Sequence, residues 1–157
     1  MSDPALPLLD GHGHLPEGIH DTSLAEIQQR FVTNPVRAEL WRRLQDFLQW
    51  VISTEQFSHA YIDGGFTTDK ESPTDIDVIL QTRAGYGPEA FRAMMPFFEM
   101  GVNAIHQKYS IHLHFWSEGF PEGMADFRLF FQYLPPQVGG LPSFKERAKK
   151  GIVRISL

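Results

Sequence analysis

Two aspartates set two residues apart, Asp75 and Asp77, open the run D-I-D-V-I-L that ends at Leu80. The apolar residues around them predict a strand, in which residues two apart point to one face with Cα atoms roughly 6.6 Å apart. Two carboxylates on one face repel each other unless something cationic lies between them. Hard divalent ions such as Mg²⁺ take oxygen ligands and sit between one or two protein carboxylates and the phosphates of a substrate. Upstream, Gly64 and Gly65 follow the strand-like run ending Y-I-D. Glycine tolerates positive φ and lets backbone N–H groups approach an anion, at the start of a helical turn whose positive end favours negative charge. A plainer reading competes, because S-P-T-D before the second aspartate is ordinary turn chemistry and its aspartates would then only cap a turn.

Gly64-Gly65 followed after nine residues by Asp75-Ile76-Asp77-Val78 resembles the signature of the DNA polymerase β-like nucleotidyltransferases, most closely their small single-domain bacterial members. The motif covers about twenty residues, and the order of elements from Arg37 to Trp116 follows the same plan more loosely. The opening L-P-E-G-I-H and the ending G-I-V-R-I also look like a group of small nucleotidyltransferase-like bacterial proteins. The resemblance implies an α+β fold with a small twisted mixed sheet flanked by helices. It also implies a metal-dependent transfer of a nucleoside monophosphate from a nucleoside triphosphate to a hydroxyl of a protein, RNA or small molecule, in a toxin–antitoxin or phage-defence pair. In that reading Asp75 and Asp77 hold Mg²⁺ or Mn²⁺. Gly64 and Gly65 hold phosphates through backbone N–H groups, and Thr67, Thr68 and Lys70 add nucleotide contacts.

The family's third strand often supplies a further carboxylate, and here His112 and His114 stand in that place. Imidazole is a poor ligand for Mg²⁺ but an acceptable one for Mn²⁺ or Zn²⁺. Three functional roles compete: one of these histidines is the general base that deprotonates an attacking hydroxyl, the site prefers a softer ion, or the fold is a degenerate binding module, an antitoxin or regulatory subunit, that transfers nothing. A fourth reading makes both of them half-exposed sheet residues.

The elements that must position these groups are legible in the pattern. Residues 1–20 hold three prolines and three glycines without periodicity and predict an irregular arm, in which His12 and His14 are solvent-exposed bystanders. Ser23 and Glu26 fit a capping box that opens a short helix, and Asn34-Pro35 fits the cap and first residue of the next. Apolar positions 36, 40, 44, 47, 48 and 51 keep a 3.6 period, with Trp41 and Trp50 beside them as further core. Strands are predicted over Phe57–Ile62, Asp75–Gln81 and Ser110–Trp116. The last of these alternates Ile111, Leu113 and Phe115 against Ser110, His112, His114 and Trp116.

A helix from about Pro88 to Lys108 is expected to kink or break at Pro96, with Met94, Met95, Phe97, Phe98 and Met100 filling core. Beyond it come a helix from about Met124 to Tyr133, the basic run Lys145–Lys150, and a short strand over Gly151–Ile155 that would add to a sheet edge.

Composition bounds the rest. The 157 residues predict one domain, and 42% hydrophobic content with no cysteine excludes a disordered chain, disulfides and thiolate zinc sites. No apolar run reaches the twenty or so residues needed to cross a bilayer, and the N-terminus lacks a signal-peptide pattern, so the expectation is a cytoplasmic protein with no membrane partner. A net charge of −5 disfavours long nucleic acid as an obligate partner. The expected partners are a nucleoside triphosphate and a protein partner or RNA acceptor that completes the site.

Overall fold

The computed structural model describes residues 6–121, 126–132 and 150–157. The chain order is β1 (Gly18–Asp21), α1 (Leu24–Phe31), α2 (Pro35–Ser53), β2 (Phe57–Asp63), a 3-10 turn (Gly65–Thr67), β3 (Ile76–Thr82), α3 (Pro88–Met100), α4 (Val102–Tyr109), β4 (Ile111–Trp116), α5 (Phe127–Phe130) and β5 (Gly151–Ser156). It is a mixed α+β fold. One five-stranded sheet runs in the order β1-β5-β2-β3-β4. The β2–β3 and β2–β5 pairs are antiparallel, while β1–β5 and β3–β4 are parallel. The parallel β3–β4 pair needs a crossover, which α3 and α4 provide.

Alternation sorts the two faces of the sheet. Ala60, Ile62, Ile76, Val78, Leu80, Ile111, Leu113, Val153 and Ile155 face the main core under the helices, with Leu44, Phe47, Leu48 and Val51 of α2. The opposite face carries Tyr61, Ile79, Trp116 and Ile152 at its centre, with Phe127 and Phe131 packed on them. The 3.6 period of α2 is realised from Leu40 to Val51, but Val36 is exposed and Arg37 is buried instead. Both helix starts are capped: Ser23 Oγ accepts from Glu26 N at 3.2 Å and Asn34 Oδ1 accepts from Arg37 N at 2.9 Å.

Four expectations are corrected. Residues 18–21 leave the irregular arm and pair in parallel with β5, a four-residue strand whose partner lies at the far end of the chain, so local sequence carries no signal for it. The final strand is not an addition to an edge, because it lies between β1 and β2. That placement buries Gly151, Ile152, Val153 and Ile155, while the one charged residue of the G-I-V-R-I run, Arg154, is bonded to Asp21.

The predicted long helix breaks at Gly101, where φ is 93°, and not at Pro96. Pro96 is exposed, and α3 continues through it. Of the apolar residues on α3, Met94 and Phe97 are core, whereas Met95 and Phe98 are about half exposed at 47% and 49%. Of the helix predicted over residues 124–133, only the short α5 (Phe127–Phe130) forms among the described residues, while positions 124, 125 and 133 and the basic run at 145–149 lie outside them.

One side chain fixes the loop between β2 and β3. Arg37 is 2% exposed, and its guanidinium donates to the carbonyls of Phe31 (3.0 Å), Gly65 (3.2 Å), Phe66 (2.6 Å), Thr68 (2.7 Å) and Lys70 (3.1 Å). It lies over the Phe66 ring, which stacks on Trp41 with 6° between planes. Replacement by methionine keeps the volume but orphans buried carbonyls and is expected to cost about 3 kcal/mol in denaturant unfolding. Arg37→Lys should recover only part, because an ammonium lacks the planar fork. A loss under about 0.5 kcal/mol, within the range of an ordinary surface change, would show that the loop holds itself.

Candidate metal and nucleotide site

The ends of five elements converge on the face opposite the main core. Asp63 ends β2, Asp75 precedes β3 and Asp77 is its second residue, His112 is second in β4, His106 lies in the last turn of α4, and Lys150 leads into β5. The register makes this unavoidable. Asp63 pairs with Asp77 across the antiparallel ladder, and Asp77 pairs with His112 across the parallel one, so all three side chains leave the sheet on the same side. His114, paired with Ile79, follows them.

The start of this cluster is pinned by Ser110. Its backbone adopts the left-handed conformation at the end of α4 (φ 57°), its carbonyl accepts from Ile76 N at 3.0 Å, and its hydroxyl accepts from Arg43 at 2.9 Å. That link sets the helix end beside the aspartates. His106 Nε2 then lies 3.5 Å and His112 Nε2 3.6 Å from the same oxygen, Asp75 Oδ2, while His112 Nδ1 lies 3.3 Å from Asp77 Oδ1. The two imidazoles stack at 4.3 Å between centroids. One ligand atom each from Asp75, His106 and His112 falls within a mutual 4.8 Å, a group that can hold a metal ion.

Burial raises the pKa of Asp77, as does the neighbouring Asp75 charge, while His112 and His114 pull it down. Asp63 is the extreme case. Only 3% exposed, its carboxylate is bonded to Lys150 Nζ, and burial still pushes it up to about 6 against the pull of that ammonium.

The glycine turn adjoins the acids. Gly64 has φ 94°, and a Cβ there would lie 3.0 Å from Asp77 Oδ2, so only glycine lets the turn close on the carboxylate. Thr67 is buried, with its hydroxyl donating to Gly64 O at 3.3 Å, and Thr68 donates to Gly65 O at 2.7 Å. Lys70 is exposed, and its stem lies against Gly65.

The N-terminal arm also reaches this loop. Asp69 N donates to Gly13 O at 3.1 Å, and Asp10 Oδ1 accepts from the backbone of His12 and His14. His12 is exposed and His14 half-buried. His114 stands apart from the histidine pair, its ring 4.2 Å from Phe127 and 5.2 Å from Phe131, and burial lowers its pKa.

Of the residues singled out in the sequence, Asp75, Asp77, His112 and the glycine pair are brought together. His106, Asp63 and Lys150 were not foreseen. Asp63 stood directly before the glycine pair and in strand phase with Tyr61, a signal that was available. His106 carried none, because its approach depends on how α4 ends. The chain belongs to the family of unknown function DUF6932, whose model matches residues 7–156. No curated protein and no solved structure matches it. Among the described residues of this DUF6932 member, no helix is long and apolar enough to cross a membrane.

The Asp63–Lys150 pair is open to test. Lys150→Met strands a buried carboxylate and is expected to cost about 3 kcal/mol, which the double change Asp63→Leu/Lys150→Met should largely restore. Because the folded pKa of Asp63 lies above its ordinary 3.8, protonation favours the folded state. The contribution is complete below the unfolded pKa and is lost as pH rises through about 6. The stability of the wild type relative to Asp63→Asn should therefore decline between about pH 4 and pH 7. A relative stability that stays flat or grows over that range in urea titrations would contradict the assignment.

Proposed function

We propose that this protein is a metal-dependent nucleotidyltransferase of small, single-domain type, acting in the cytoplasm on a nucleoside triphosphate and a hydroxyl acceptor. The observation that carries the reading is the placement of Asp75 and Asp77 on one sheet face against the Gly64 turn, with Asp77 Oδ2 close to the glycine. Asp75 and Asp77 are the residues that would hold Mg²⁺ or Mn²⁺. A bound divalent ion supplies neutralisation of the triphosphate and of the charge that develops on the leaving oxygens.

The chain does the remaining work by positioning. Gly65 opens the 3-10 turn, where the first N–H groups have no partner within the turn and favour phosphate. Arg37 holds four carbonyls of that loop and so fixes its shape. Exposed Lys70 adds a mobile cation beside the turn. His114, kept neutral by burial, faces the same side and is the group suited to take the acceptor's proton. A protein partner or RNA acceptor would complete the site from the open side.

A second reading, a nucleotide-binding or partner-binding module without transfer, is favoured by one specific feature. The β4 position opposite Asp77 holds His112 and not an acid, and Asp63 is already neutralised by Lys150.

The two readings separate in a labelling experiment with nucleoside triphosphates carrying a labelled α-phosphate, added with whole-cell extract. The wild type should transfer label better with Mn²⁺ than with Mg²⁺, and Asp75→Asn or Asp77→Asn should lower transfer at least about 100-fold with unchanged folding. Well-folded aspartate variants that label as the wild type does would remove the proposed active site. Binding of triphosphate without any transfer by the wild type would establish the second reading instead.

A further inference from the structure

The position of His106 goes beyond both readings, since neither uses it. We infer that Asp75, His106 and His112 form a resident site for one borderline divalent transition metal of the Zn²⁺ type, loaded without nucleotide. Two imidazole Nε2 atoms from different elements, one on a helix and one on a strand, converge at 3.5 and 3.6 Å on a single carboxylate oxygen. Two histidines and one carboxylate on one side, with the other side open, is the donor set of a three-ligand site that keeps a free position. The three side chains are 41%, 49% and 28% exposed, so an ion reaches them from solvent without rearrangement of the core.

Three features around the ligands support the same assignment. Asp77 Oδ1 faces His112 Nδ1 at 3.3 Å, and a carboxylate accepting the Nδ1 proton leaves the Nε2 lone pair free for metal. That contact orients the ring of a half-exposed histidine. His106 lies in the last turn of α4, where the unpaired carbonyls carry partial negative charge and favour a cation. Asp63, the other acid on this face, is bonded to Lys150, so the face has one ammonium and room for one resident ion. Nitrogen donors favour Zn²⁺ and Co²⁺ over Mn²⁺, and all of these over Mg²⁺.

Co²⁺ is the probe, because its visible absorption reports coordination directly. Titration of the full chain, freed of metal and without nucleotide, should saturate at one ion per chain. Zn²⁺ should displace that ion, and Mg²⁺ in large excess should not. His106→Ala and His112→Ala should abolish the Co²⁺ band. Asp77→Asn should weaken binding about 10–100-fold while leaving the shape of the band unchanged. His106 is half-exposed, so its alanine variant is expected to fold, and circular dichroism verifies this.

Absence of a saturable Co²⁺ band, saturation at two ions, or a well-folded His106→Ala that binds as the wild type does would overturn the inference. Label transfer is measured separately. A protein that binds Co²⁺ through His106 but transfers no nucleotide would sink the nucleotidyltransferase reading alone. Transfer that persists with Mg²⁺ in a protein unable to bind Co²⁺ would sink this inference alone.

Discussion

The buried guanidinium of Arg37 is the constraint on which the site depends. A loop that leaves a strand, turns through two glycines and returns to a second strand exposes a row of backbone carbonyls, and buried carbonyls without donors are costly. Four of them, from Gly65, Phe66, Thr68 and Lys70, converge on one side chain of α2, which also holds the Phe31 carbonyl at the end of α1. Because α2 also packs Leu44, Phe47, Leu48 and Val51 against the sheet, the loop is tied to the main core and not only to its own ends. Phe66, held between Arg37 and Trp41, completes the anchorage. With the carbonyls drawn inward, the glycine pair is fixed against Asp77, and the acidic face acquires a defined edge.

A second constraint is electrostatic. Asp63, Asp75 and Asp77 share one sheet face, and three carboxylates there are tolerable only with cations among them. The protein meets this in two ways. Lys150, brought in by the strand that lies beside β2, is bonded to the most deeply buried acid. The imidazoles of His106 and His112 bracket the other two. The first cation belongs to the chain itself, whereas the second place offers a donor group that can hold a metal ion.

The fold suits such a face for a structural reason. The helices α2, α3 and α4 cover one side of the sheet, while the other side is covered among the described residues by the Phe127 and Phe131 cluster. Asp75 and His112 at the strand ends still reach solvent, whereas Asp63 and Lys150 are buried. Membership of DUF6932 fixes the family and leaves its chemistry to be read from these side chains.

Sequence by itself determined a good deal of this. The period-2 alternation of β2, β3 and β4, the 3.6 period of α2 and the caps at Ser23 and Asn34 are local properties, and each places its residues where spacing and side-chain chemistry predict. The same alternation puts Asp75, Asp77, His112 and His114 on one face once β3 and β4 are neighbours. Tertiary structure decided what depends on distant pairing. The interior place of β5, the strand formed by Gly18–Asp21 and the arrival of Lys150 at Asp63 follow from contacts between the two ends of the chain, to which no local pattern is sensitive. The entry of His106 follows from the break at Gly101 and the left-handed residue Ser110, which together aim the end of α4. The burial of Arg37 was hidden because the carbonyls that require it have no signature in side-chain sequence.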